Sequence, residues 1–420
     1  MYEFVFKFSL LRIFNSVLIA TEKARSFMLK LHNRNSTKSF MEKFSSLYGG
    51  TPLLVRSPGR INIIGEHTDY NEGFVLPAAI HQSAFIAITP REDDEINLFS
   101  TEFSGEFNGN LSTIKRSPLT WPNYILVVAD QLIKRGYILK GFNAVLEGKV
   151  PIGAGLSSSA SIECATVFAL NEIFHLKIEK MEMVKIAQKA EHEFTGVMCG
   201  IMDQFASIFG KKDHVIKLDC RSLEYEYIPL KLDGIKIVLL NSNVKHSLTS
   251  SEYNTRRNQC RQGIAWIGEH IKNVQSLRDV NYNMLEKYVE PKDKVIYKRC
   301  RFVVSENERL LRGCEDLKKG NIASLGKKMF QTHDGLSSDY EVSCKELDYL
   351  VDSVKNNPSV LGARMMGGGF GGCTINLVKE EAIEELVQGM EKKYRDRTGL
   401  DLSVYVAEIA NGTELLATSY

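Results

Sequence analysis

Four short stretches of this chain carry residue types that could do chemistry. In RSPGRINIIGEHTDYNEG, Arg60, Glu66, His67, Asp69 and Tyr70 fall within eleven residues, beside apolar, strand-like sequence. Carboxylates that accept hydrogen bonds from hydroxyls, next to an arginine, are what a polyol requires of a pocket. Taken singly these residues have plainer readings, Asp69 to Gly73 as a turn and His67 as a structural hydrogen-bonding group. In VPIGAGLSSSASI, small residues stand between a strand and a helix N-terminus, where free backbone N–H groups and the positive end of the helix dipole converge on an anion. Gly153 and Gly155 permit close approach of a phosphate, while Ser157, Ser158 and Ser159 offer hydroxyls to phosphate oxygens or a magnesium ion. The stretch lacks the lysine of a Walker loop, and a flexible turn with a serine N-cap would look the same.

Asp203, in CGIMDQFASIFG, has apolar company on nearly every side. A partly buried carboxylate needs a partner charge or a catalytic task, and Arg60 is the right kind of partner; the plain alternative is an aspartate capping the helix that follows. MMGGGFGGC formally contains G-x-G-x-x-G at Gly367, Gly369 and Gly372, but a dinucleotide site needs a helix after the last glycine, and Cys373 to Val378 reads as strand. The run is better suited to a backbone turn packed against a ligand or another lobe.

The elements that must position these residues are legible from periodicity. MEKFSSLYGG reads as a short helix stopped by glycines, TPLLVRSPGRINIIG and FVLPAAIHQSAFIAITP as strands, and WPNYILVVADQLIKRGY as a helix. FNAVLEGKVP alternates as a strand; the helix after the glycine-serine stretch shows an apolar stripe of Ile162, Ala165, Ala169 and Ile173, and EKMEMVKIAQKAEHEF is a further helix. Short strands (HVIKLD, LEYEYIPL, GIKIVLLNS) follow, then helical sequence from about Ser250 to Asn356, the strand CTINLV, the helix AIEELVQGMEKKY and a last strand, SVYVAEI. Strands and helices mixed without regular βα alternation predict an α+β chain of two lobes. The expected division is an extension over 1–40, an N-terminal lobe over 41–222 and a C-terminal lobe over 223–420.

Composition agrees with two lobes of a globular protein: 420 residues, 44% hydrophobic and 25% charged. A formal net charge of +2 supplies no basic field for a phosphodiester backbone, so nucleic acid is not an expected partner. The eight cysteines are scattered, with no C-x-x-C and no Cys/His cluster, which points to a reducing cytoplasm. At the N-terminus Phe, Leu, Ile and Val crowd between Phe4 and Ile19, yet Arg12 interrupts them and Lys7 lies within the run. That pattern fits an amphipathic extension, or a reading frame whose start is Met28 or Met41, better than a signal peptide or a span of roughly 20 apolar residues. No membrane partner is expected.

Together, and in this order, the motifs resemble those of the galactokinase, homoserine kinase, mevalonate kinase and phosphomevalonate kinase superfamily, and within it the galactokinase family. PGRINIIGEHTDYNEGFVLP is similar to that family's sugar-binding signature, VPIGAGLSSSAS to its phosphate loop and ARMMGGGFGGCT to its third motif. AEHEFTGVMCGIMDQFAS and NSNVKHSLTSSEYNTRRNQC resemble stretches particular to galactokinases. The resemblance runs from about Met41 to the C-terminus. It implies an α+β, two-lobed small-molecule kinase fold with mixed sheets and the active site between the lobes, acting as a cytoplasmic monomer on galactose and ATP with Mg2+ to give galactose 1-phosphate. It further implies that Arg60, Glu66, His67, Asp69, Gly200, Asp203 and Tyr253 surround the sugar, with Asp203 and Arg60 catalytic. Gly153 and Gly155 with Leu156, Ser157, Ser158, Ser159 and Ala160 would cradle the phosphates, and Ser159 with Glu191 would hold magnesium. Trp121, Asn123 and Tyr124 resemble the segment near the adenine. Two alternatives keep the motifs: an N-acetylgalactosamine kinase, and a catalytically silent galactose sensor, although such sensors lose small residues that here are present as Ser159 and Ala160.

Overall fold

The Ser-Pro-Gly-Arg sequence at 57–60 shapes the first strand of the protein, in a computed structural model that describes residues 38–103, 105–244 and 249–416. Strand β1 (Leu53–Asn62) pairs antiparallel with β3 (Pro77–Pro90), and its register slips between Pro58 and Arg60. Proline cannot donate to the ladder, so the slip falls where a donor is missing. The bulge re-aims the strand: the Arg60 N–H donates to the Leu156 carbonyl at 3.0 Å, so the loop that precedes a later helix docks onto β1 at this point.

Two compact units divide between Pro52 and Leu53. In the first, the described part is a helix, α1 (38–48), which stops at Gly49 and Gly50 as its sequence predicts. The second unit holds everything else. Its largest sheet has six strands in the order β13-β1-β3-β6-β4-β5, where β4 is Glu95–Ser100, β5 Gly105–Asn110, β6 Phe142–Gly148 and β13 Glu414–Leu415. Its pairs are antiparallel except β4 with β6, so the sheet is mixed. Helices α2 (Thr120–Lys134), α3 (Ser158–Phe174), α4 (Lys180–Thr195) and α5 (Met202–Phe209) share a core with it that includes Ile86, Phe142, Leu170 and Phe205.

A three-stranded sheet joins β2 (Phe74–Val75), β7 (His214–Asp219) and β8 (Tyr225–Pro229). An antiparallel four-stranded sheet has the order β10-β11-β9-β12, formed by β9 (Ile235–Asn241), β10 (Val360–Met365), β11 (Cys373–Lys379) and β12 (Ser403–Ala407). The helices of this part are α6 (Thr249–Gly268), α7 (Tyr282–Tyr288), α8 (Lys294–Lys318), α9 (Ile322–Ser338), α10 (Lys345–Lys355) and α11 (Ile383–Thr398). The α+β class with mixed sheets is therefore what the sequence predicts. One expectation fails: α3 has no single apolar stripe, because Glu163, Cys164, Ala165, Thr166 and Val167 are all buried in succession. A helix surrounded by other elements has no solvent face to keep polar.

Among the described residues no helix is long and apolar enough to cross a membrane. The reading of the extension falls almost wholly on residues 1–37, outside the described residues.

Candidate active site

A cavity of about 410 Å³ is lined by Arg60, Glu66, His67, Asp69, Gly200, Asp203 and Tyr253, together with Ser159, Glu191, Gly367 and Gly368. Residues separated by 190 positions and more thus face one space, and each arrives on an identifiable element. Arg60 projects from the β1 bulge, Asp203 from the first turn of α5, Tyr253 from α6, and Asp69 from a 3-10 turn over Asp69–Asn71.

Arg60 and Asp203 form a two-pronged pair, Nε to Oδ1 at 2.9 Å and Nη2 to Oδ2 at 2.8 Å. The guanidinium is almost wholly enclosed while the carboxylate keeps partial access to the cavity. The third prong of Arg60, Nη1, donates to the Gly155 carbonyl at 2.5 Å. A planar fork can hold a carboxylate and a loop carbonyl together in this way; an ammonium cannot. Ser157 Oγ also donates to Asp203 Oδ2 and makes no cap bond at the start of α3, so the serine N-cap reading is not what this side chain does.

Glu66 is buried, and its Oε1 accepts from Arg364 Nη2 at 3.0 Å and from the Gly367 N–H at 2.9 Å. Arg364, fully enclosed on β10, also donates through Nε to the Ile63 carbonyl at 2.9 Å. It ties β10 to the end of β1 and fixes Glu66 in one step. Asp69 accepts from the Tyr70 N–H at 2.9 Å, and burial, then the charge of Asp203, pushes its carboxyl up to about 7. His67 is pulled down to about 3, first by burial and next by the Arg256 charge, so its imidazole is neutral. Gly200 closes the wall: a Cβ there would come within 1.9 Å of Asp69 Oδ2.

The phosphate-loop residues divide by role. Ser158 and Ser159 begin α3, whose first-turn N–H groups lack intrahelical partners, as at any helix start. Leu156 and Ala160 are buried, and Leu156 contributes its carbonyl to β1 rather than a side chain to the cavity. Gly153 and Gly155 have φ of 75° and 73°. The third motif packs on this loop, where a Cβ at Gly367 would lie 3.3 Å from the Gly155 carbonyl oxygen and one at Gly372 would lie 3.4 Å from that of Ala154. A second cavity of about 330 Å³ is lined by Trp121, Tyr124, Phe103, Leu119, Ile152, Ser158 and Ser159 among others. Asn123 is not in its wall; it is buried and uses its amide to hold the Ser117 and Leu119 carbonyls at the start of α2.

The donor set near Ser159 suits magnesium. Glu191 accepts from the Ser159 hydroxyl on one side and shares a hydrogen bond with Glu163 on the other. A hydroxyl and a carboxylate are hard oxygen ligands, and magnesium in nucleotide sites needs only one or two of these besides phosphate oxygens and water. Among the described residues no group of three or more His, Cys, Asp or Glu is placed to hold a metal ion. Behind Glu191 lies Glu163, wholly buried, where desolvation and then the Glu191 charge push its carboxyl up into the neutral form.

Sequence reasoning passed over Arg364, Glu163, Cys199, Met202 and Gln204 as wall or support, whereas Gly367 and Gly368 belong to the glycine run read as a turn packed against a ligand or another lobe. An arginine inside the apolar strand LGARMM and a glutamate inside the buried face of α3 were the available signals.

Three family descriptions match parts of the chain: the galactokinase galactose-binding signature over residues 42–90, the GHMP kinase N-terminal domain over 123–211, and the GHMP kinase C-terminal domain over 315–396. Galactokinase of Thermotoga neapolitana is 45% identical over 363 residues, covering 86% of this chain and 99% of that protein. Galactokinase of Fusobacterium nucleatum is 41% identical over 387 residues, covering 90% and 98%. Among solved structures, Lactococcus lactis galactokinase complexed with galactose superposes with a TM-score of 0.87 at 36% identity, over 91% of this chain and 100% of that one. The Methanococcus jannaschii mevalonate kinase shares the fold, with a TM-score of 0.61 at 22% identity over 86% of this chain and 99% of that one.

Proposed function

The chain belongs to the galactokinase family, and from that premise we propose that it transfers the γ-phosphoryl group of ATP to the anomeric hydroxyl of galactose, giving galactose 1-phosphate and ADP. One observation carries the reading at the level of chemistry: a polar cavity rich in carboxylates meets an apolar slot beside Trp121, and Ser159 borders both. A sugar in the first and a nucleotide base in the second would bring hydroxyl and phosphates together at the start of α3.

Phosphoryl transfer asks a protein for alignment of the attacking oxygen and neutralisation of spreading negative charge. Asp203 serves the first. Its carboxylate is held by Arg60 and Ser157 before substrate arrives, so it needs no reorganisation to accept the proton of the anomeric hydroxyl, or to orient that oxygen as a fixed charge if the proton leaves late. Arg60 serves the second, since its partial attachment to Gly155 keeps its positive charge at the edge of the phosphate loop. The N–H groups of Ser158, Ser159 and Ala160 receive phosphate oxygens. Magnesium, when bound with the nucleotide at Ser159 and Glu191, would offset charge on the β- and γ-phosphates. Glu66, His67, Asp69 and Tyr253 hold the ring hydroxyls, with Gly200 giving the space for Asp69.

We further read residues 41–222 and 223–420 as the two lobes of the kinase, a division supported by their six-stranded and four-stranded sheets, with β13 returning to the first and β8 pairing with β7 across the boundary. A reducing cytoplasm fits this reading, as all eight cysteines are free thiols. The test is ADP release over a panel of hexoses with MgATP. Galactose should be the preferred acceptor; turnover of N-acetylgalactosamine with little activity on galactose would overturn the assignment, as would galactose binding without ADP formation.

A further inference from the structure

Behind the wall of the sugar cavity, His67 begins a line of buried hydrogen-bonding groups that the phosphoryl-transfer chemistry does not use. Its Nδ1 lies 2.7 Å from the Tyr70 hydroxyl, that hydroxyl lies 2.8 Å from the Tyr340 hydroxyl, and Cys260 Sγ lies 3.4 Å from the Tyr340 hydroxyl. The line therefore runs from the sugar signature to Tyr340, two residues beyond α9, and on to Cys260 of α6. Tyr340 is fully buried and packs against both His67 and Phe302, with ring centroids 5.0 Å and 4.9 Å away. The other ring nitrogen, His67 Nε2, is buried without a hydrogen-bond partner, on a residue that lines the sugar cavity.

Each hydroxyl in such a line donates once and accepts once, so the whole line has one of two polarities. In one, Tyr340 donates to Tyr70, Tyr70 donates to Nδ1, and the imidazole proton sits on Nε2. In the other every bond is reversed and Nε2 is a bare acceptor. A phenol O–H is a stronger donor than a neutral imidazole N–H, and an imidazole lone pair is a better acceptor than a phenol oxygen, which favours the first. The ring is neutral, so the two polarities are true alternatives rather than a doubly protonated imidazolium.

We propose that Tyr340, acting through Tyr70, is a positioning residue that holds His67 in the Nε2–H tautomer, so that the imidazole donates to a ring hydroxyl oxygen of the sugar. The role in sugar binding rests on the galactose reading above, whereas the tautomer is a property of the free protein. With Glu66 and Asp69 as acceptors for hydroxyl protons, a histidine fixed as a donor supplies the complementary contact, and a hydroxyl can satisfy both kinds at once.

The test is the tautomer of His67 by long-range 1H–15N correlation on the ligand-free, histidine-labelled protein, with its signal among the nine histidines identified by loss in His67→Gln. A pyridine-type Nδ1 with a pyrrole-type Nε2 is expected. In Tyr340→Phe the opposite tautomer should become populated, with galactose KM up roughly tenfold and kcat and the ATP KM within about twofold. Tyr70→Phe, which removes the direct donor, should act in the same direction and more strongly, and it serves if Tyr340→Phe does not fold. A pyrrole-type Nδ1 in the wild type overturns the proposal, as do variants that leave tautomer and galactose KM unchanged, or that raise the ATP KM equally, as general loosening would. A protein with the expected tautomer that phosphorylates another sugar would instead sink the galactose reading alone.

Discussion

Asp203 and Asp69 are two carboxylates on one cavity with different surroundings, and the difference assigns them different work. Asp203 is charge-paired with Arg60 and partly open to the cavity, so it can act on a substrate proton; Asp69 faces two other carboxylates and has its own charge opposed. Replacing Asp203 by Asn keeps the shape but removes charge and proton acceptance, and turnover should fall by on the order of a hundredfold or more while calorimetry finds sugar and nucleotide affinity largely retained. A loss below about tenfold would remove Asp203 from the chemical step. Asp69 makes the opposite kind of prediction. Its folded-state value of about 7 lies above that of an unfolded aspartate, so between roughly pH 4 and 7 the folded protein holds a proton that the unfolded chain has released, and stability drops as pH rises through that window. Asp69→Asn cannot ionise and escapes that loss. Its ligand-free Tm should exceed the wild type's by more at pH 8 than at pH 5 in scanning calorimetry, while galactose affinity is lost; an equal difference at both pH values would mean Asp69 is not the group concerned. At this scale the sequence was informative where an acidic or basic residue stood in apolar company near a turn, as Arg60, Glu66 and Asp203 do. Arg364 and Tyr340 act through partners some 270 to 300 positions away, and nothing in local spacing reveals such a pairing.

Elements fix these residues through a few close backbone approaches. The segment between α4 and α5 brings Gly200 against Asp69 so tightly that a methyl group has no room, and the cost must fall on the flexible side chain or on the segment. Gly200→Ala should therefore leave the fold in place, as judged by circular dichroism, and raise the galactose KM by roughly tenfold or more through displacement of Asp69, with the ATP KM little changed. A normal galactose KM would show that the wall can move. At the head of α3, Ser159→Ala deletes one oxygen from the proposed magnesium site and should weaken MgATP binding in calorimetry more than galactose binding; equal affinities would return Ser159 to a capping or packing role. Long periodic elements such as β3, α2 and α4 were readable because their pattern repeats several times. β5 (GEFNGN) and β10 (VLGARM) were not, since glycine and asparagine break the alternation, and these strands owe their state to partners in the sheet. The bulge at Pro58 was visible only as a proline within a strand, yet it aims Arg60.

At the scale of the molecule, the fold by itself leaves the acceptor open, because the same scaffold carries kinases for different small molecules and the choice lies in the cavity wall. Here that wall combines a buried carboxylate held by Arg364, a neutral buried imidazole with one free nitrogen, and a carboxylate whose charge is opposed. Each of these groups costs stability in the free protein unless a ligand satisfies it. A sugar that meets all of them recovers that cost; one that inverts a single hydroxyl leaves a buried donor or acceptor without a partner. Discrimination of that kind is strong, because the penalty comes from desolvated polar groups and not from a missing methylene. Galactose, with its axial 4-hydroxyl, should therefore exceed glucose by on the order of a hundredfold or more in kcat/KM, measured by coupled ADP release at fixed MgATP. Galactosamine, changed only at the 2-position by a group of similar size, should be tolerated, and the bulkier N-acetylgalactosamine should be poor. Near-equal use of glucose and galactose would mean that the polar wall does not read the 4-position, and the roles given to Glu66, His67 and Asp69 would then have to be withdrawn together.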